Sequence, residues 1–148
     1  MPDLRFIRNN IDTGLFGFVF LVSFFVYLLT LCPTVYWRDS AEFVDAAFAL
    51  AIPHPAGFPS YMPMANLLTY LPFGSIAFKV NLLSAFMGAG AAVMVAVLIM
   101  EVVFAMGGGR DNTSRFLAAA GALTYAFSFS LWESSVSAEA VSYTHLTL

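Results

Sequence analysis

Asp39, Glu42 and His54 are the residues of this 148-residue chain whose types and spacing suit acid–base chemistry. Two carboxylates three residues apart share a helix face, and His54, held between Pro53 and Pro55, offers a ring nitrogen to a proton or a phosphate. A carboxylate beside a hydroxyl takes its proton as the oxygen attacks, which is general base catalysis. The same spacing also fits a capping box, with Asp39 accepting a first-turn amide and Glu42 reaching back to the cap. Both acids suit the positive end of a helix dipole as well. Periodicity leaves catalysis and capping open. His54 has no second soft ligand beside it and the chain has no phosphate-binding glycine loop, so no metal and no cofactor are expected.

The elements that must position these residues are short. Asp39 to Leu50 has helical composition and stops at Pro53. Asp39, Glu42 and Asp45 share one face while Phe43, Ala47 and Leu50 line another, which predicts an amphipathic helix on a membrane surface over about 39–52. Pro53, Pro55, Gly57 and Pro59 then impose a stiff, non-helical turn. The apolar stretch 62–71 is too short to span a bilayer and predicts a second interfacial helix.

Around this loop the chain is 60% hydrophobic and 10% charged, against roughly a quarter charged in soluble domains. That excludes a free-standing soluble globule. Six basic and nine acidic residues with no basic run exclude a nucleic-acid partner. Cys32, the single cysteine, forms neither an intrachain disulfide nor a zinc site and is expected to pack at a helix end. Apolar runs over 14–31, 80–106 and 116–132 predict three transmembrane helices. A cleaved signal peptide is the alternative for the first, but the run exceeds a usual h-region and no small-residue cleavage site follows.

With Arg5, Arg8, Arg110 and Arg115 inside, and Arg38 and Lys79 outside, the positive-inside rule puts residues 1–13 and the 107–115 turn in the cytoplasm. Residues 32–79 and 133–148 are then external, with Tyr36, Trp37 and Trp132 near the outer interface. Glu101 is expected to snorkel to the cytoplasmic side. Ser84, Gly88, Ala92 and Ala96, and likewise Ala118, Ala122, Ala126 and Ser130, form small-residue stripes for helix packing. Asn112-Thr113-Ser114 fits a glycosylation acceptor, but this topology keeps it cytoplasmic. The expected fold class is an all-α membrane protein, with three spans and two interfacial helices in the first external loop, forming part of a larger polytopic fold.

Three ordered motifs carry a family resemblance: Trp37-Arg38-Asp39-Ser40-Ala41-Glu42-Phe43, His54-Pro55-Ala56-Gly57-Phe58-Pro59 and Lys79-Val80-Asn81-Leu82-Leu83-Ser84-Ala85. Together they resemble the N-terminal part of the protein O-mannosyltransferase-like membrane family, a bacterial domain of unknown function similar to the C-type glycosyltransferases. The resemblance covers about Thr30 to Ala140. It implies a multi-pass enzyme of a bacterial plasma membrane that moves sugar from a polyprenyl-phosphate donor to a hydroxyl acceptor.

Carried over by position, the resemblance makes Asp39 the catalytic base and Glu42 the second acid. Arg38, His54 and Lys79 become contacts for the departing phosphate. The reaction would be one displacement with inversion. Ala56 stands where the family often has a second proline, and residues 142–148 read as a non-native tail, so His145 receives no role. The piece by itself is expected to be inactive. Two other readings compete: a non-catalytic transporter or scaffold in which Asp39 and Glu42 only cap a helix, and a three-helix protein that self-associates through its stripes.

Overall fold

The computed structural model describes residues 10–37, 39–54 and 58–139. These form six helices, α1 (Asn10–Thr30), α2 (Ser40–Ala49), α3 (Tyr61–Thr69), α4 (Ile76–Ala105), α5 (Asn112–Ala126) and α6 (Phe129–Val136), with no strand among the described residues. α1 carries no charge beyond Asp12, and α4 none between Lys79 and Glu101. Both are long and apolar enough to cross a membrane. At about 1.5 Å per residue the 30 residues of α4 extend about 45 Å, well beyond the roughly 30 Å of a hydrocarbon core. The N-terminal third of α4 is a post for α2 and α3.

Two apolar clusters share α4. Ala77, Val80, Leu83 and Met87 pack with Phe43, Val44 and Ala47 of α2 and Tyr61, Met62 and Ala65 of α3. Farther along, Ala85, Ala89, Ala92 and Ala96 meet Val19 and Tyr27 of α1 and Ala122 and Ala126 of α5. A Cβ at Gly88 would overlap the Ser135 hydroxyl and stand 3.3 Å from the Tyr27 ring, so α6 seats directly on the α4 backbone. The small residues are therefore consumed inside the chain, which removes the motive for self-association through them.

The expected helix over 116–132 is two helices that break at Phe127–Ser128. Hydroxyl groups take the carbonyls a continuing helix would use. Tyr27 donates to Ala126 O at 2.7 Å and Ser128 to Tyr125 O at 2.7 Å. The break turns Ser130 outward, so the second stripe ends at Ala126.

At the opposite end, α4 stops at Ala105 and Gly107 takes φ +85°, the left-handed conformation that closes a helix. Here Asp12 is fully buried, with Arg115 Nε at 2.8 Å and Arg110 Nη1 at 3.3 Å, and Arg110 Nη2 also holds Glu101 at 2.9 Å. Glu101 is thus paired rather than merely snorkelling. Asp12 was not anticipated, although an acid opening an apolar run is the signal for such a pair.

Candidate functional site

The segment that delivers Asp39 is fastened before α2 begins. Cys32 N donates to Val136 O at 3.0 Å, Asn81 Nδ2 to Cys32 O at 2.7 Å and Thr34 O at 3.1 Å, and Ser75 Oγ to Pro33 O at 3.1 Å. Tyr36 N then reaches Ser40 Oγ at 3.2 Å. Asn81 belongs to the third sequence motif, and its part is to hold this segment against α4. α2 and α3 lie parallel: Phe43 meets Tyr61 near their starts, with ring centroids 5.8 Å apart, and Asn66 Nδ2 donates to Ala47 O at 2.8 Å near their ends. Tyr61 is fully buried, its hydroxyl 3.0 Å from Ser84 Oγ, and burial pushes its pKa up to about 12, so it stays protonated.

Between the two helices the chain doubles back. Leu50 (φ 50°) and Phe58 (φ 41°) bracket this turn in the left-handed region, where a side chain is strained. The reversal returns His54 to Glu42, twelve residues earlier. His54 N donates to Glu42 Oε1 at 2.6 Å, and its ring Nδ1 stands 2.9 Å from Oε2. The other ring nitrogen, Nε2, lies 4.0 Å from Asp39 Oδ2. Phe43 and Phe58 present their rings edge-on to the imidazole at 5.7 and 6.0 Å. Hydrogen bonding to Glu42 raises the His54 pKa above 6.5, and the same bonds lower that of Glu42 below 4.5.

Neither acid builds the capping box. Asp39 occupies the N-cap position of α2 with ψ −1° and no side-chain cap bond, whereas the working caps are extended. Ser75 (ψ 162°) accepts from Phe78 N and Asp111 (ψ −179°) from Ser114 N. Ser114 also lowers the Asp111 pKa through that backbone bond. With its backbone in the helical region Asp39 cannot aim its carboxylate at the first-turn amides, and Glu42 is taken by His54. α2 is otherwise close to expectation, with Phe43 and Ala47 buried and Glu42 and Asp45 exposed, but Leu50 leaves the core face to become an exposed left-handed cap.

Asp39, Glu42 and His54 are therefore brought together. Arg38 lies outside the described residues. Lys79 is elsewhere: its Nζ donates to Thr69 O at 2.9 Å, at the far end of α3. One ligand atom from each of Asp39, Glu42 and His54 lies within 4.8 Å of the others, a spacing that a divalent cation can bridge. Both oxygens of Glu42 are already engaged by His54, so hydrogen bonding and ion pairing account for these contacts.

Helices alone among the described residues, two of them bilayer-length, with an acid–imidazole cluster at the start of α2 and the turn after it, have the form of a membrane-associated protein with polar chemistry at its rim. The sequence profile of the protein O-mannosyl-transferase TMEM260 N-terminal domain matches residues 39–148. Protein O-mannosyl-transferase TMEM260 of Mus musculus is 37% identical over 122 residues, 82% of this chain and 16% of that protein. The chain belongs to this O-mannosyltransferase-like family and spans about one-sixth of the length of that relative. No solved structure matches it.

Proposed function

We propose that this chain is the N-terminal part of a multi-pass O-mannosyltransferase-like enzyme, with Asp39 as general base toward a hydroxyl acceptor and a polyprenyl-phosphate sugar as donor. α1 and α4 cross the bilayer with the N-terminus cytoplasmic, and α5 with α6 makes a broken third crossing. The observation that carries the reading is the Asp39 carboxylate, spared from capping and set 4.0 Å from an imidazole that Glu42 holds in two contacts. Asp39 takes the acceptor's proton as its oxygen bonds to the anomeric carbon, and the carbon–oxygen bond to the lipid phosphate breaks with its electron pair on the phosphate. A single displacement inverts the carbon.

The 4.0 Å gap from Asp39 leaves no room for a sugar ring between them, so His54 stands on the base side of the reaction. It positions Asp39 and the acceptor, and Glu42 positions His54. The departing phosphate, on the opposite face, needs a different cation, for which we assign Arg38. In the full-length protein Asp39→Asn should lower transfer of mannose to a hydroxyl acceptor by about 10²–10⁴-fold, with membrane insertion unchanged. Asp39→Ser, which would preserve a cap, should be equally damaging. Retained turnover in either variant would return Asp39 to a structural role.

A further inference from the structure

A cleft of about 310 Å3 lies between α1, α3 and α4, walled by Phe24, Met64, Leu68, Leu82, Leu83 and Phe86. Every one of these side chains is apolar, so a water inside finds no partner and hydrocarbon is the suitable filling. Lys79 stands one turn before Leu82 and Leu83 on the same face of α4. Its side chain is only 7% exposed, and Nζ donates to the carbonyl of Thr69, the neighbour of Leu68 in the cleft wall. An ammonium has three protons to place and a full charge. The end of α3 answers it with one carbonyl and a helix-dipole charge of about one half. Among the described residues no carboxylate comes within 4.0 Å of it. A buried cation left this way is costly until an anion arrives.

We propose that this corner binds an anionic phospholipid of the surrounding bilayer, with an acyl chain in the cleft and the phosphate on Lys79. The order of groups along α4 suits that molecule: Phe86 lies seven residues from Lys79, about 10 Å along the axis, with the charge at the end nearest the loops and the apolar wall farther in. Lys79 is separated from Asp39 and His54 by the length of α3, about 13 Å. None of the contacts among Asp39, Glu42 and His54 involves Lys79, so the occupant assigned here is a resident lipid and not the sugar donor. The inference rests on α1 and α4 spanning a bilayer and is independent of the transfer chemistry.

The test is native mass spectrometry of the 148-residue chain released from nanodiscs of equal parts phosphatidylglycerol and phosphatidylcholine. One phosphatidylglycerol should be retained per chain, about tenfold over phosphatidylcholine. Lys79→Gln keeps a donor for Thr69 and loses the charge, so it should bring that ratio near one. Leu82→Trp fills the cleft and should abolish retention. Equal retention of both lipids by the wild type, or retention unchanged in both variants, overturns the proposal, and the wild-type ratio decides it even where a variant does not fold. Displacement of phosphatidylglycerol by an added polyprenyl phosphate overturns the assigned occupant. Failure of the chain to enter nanodiscs would instead overturn the bilayer reading.

Discussion

His54 and Glu42 tie the site to pH in a direction their contacts fix. The His54 pKa is raised above 6.5, so its contribution to the turn is complete below 6.5 and is lost as pH rises through the raised value. The Glu42 pKa is lowered below 4.5, so its contribution is complete above 4.5 and is lost as pH falls through the lowered value. The turn should be firmest between pH 4.5 and 6.5. Ring-proton NMR should give His54 a midpoint above 6.5, returning toward 6.5 in Glu42→Gln; a wild-type midpoint at or below 6.5 would remove the pair. Both groups are exposed, so salt should weaken the effect. Acid spacing and the proline-flanked histidine made all three residues of this cluster legible in the sequence. Which acid holds His54 was not, because the answer depends on left-handed backbone at Leu50 and Phe58, and neither residue type announces it.

Among the elements, the short α2 exposes the strain most directly. Leu50 closes it at φ 50° with its side chain 60% exposed, so the leucine gains little from burial. Leu50→Gly should stabilise the chain by about 1 kcal/mol, read as a higher melting temperature in detergent; an unchanged or lower value would mean that Leu50 packs more than its exposure suggests. The four long or amphipathic elements were readable because charge-free runs and periodic faces set them by composition. The break between α5 and α6 was not, since Phe127 and Ser128 include no proline or glycine. It arises from hydroxyls, one of them on Tyr27, 99 positions away from the carbonyl it takes. Asp39-x-x-Glu42 left capping and catalysis open for the same reason. The capping pattern is local, but the backbone of Asp39 is helical and Glu42 is taken by a turn that closes twelve residues later.

At the scale of the molecule, α1 is pinned at both ends. Tyr27 and Thr30 bind α5 and α6, the latter through Trp132 Nε1 at 3.0 Å, while Asp12 is clamped by Arg110 and Arg115. Asp12→Ala leaves two mostly buried arginines without their shared carboxylate and should cost about 3 kcal/mol or more, measured by unfolding in mixed micelles. A loss under 1 kcal/mol would show that water had been answering those charges. The outward faces of α1 and α4 remain apolar, with Phe18, Leu21, Phe25 and Leu29 on one and Met94, Leu98 and Val102 on the other, a pattern that suits lipid or further protein.

The Asp12 clamp also has a history in time. Its partners lie 98 and 103 residues downstream, so a ribosome adding about 5–20 residues per second makes them roughly 5–20 s after the acid. Through that interval neither Arg110 nor Arg115 is there to answer Asp12, and α1 can still shift or rotate. α1 is therefore locked by the arrival of α5, which makes the 110–115 segment a checkpoint in assembly as well as a connection.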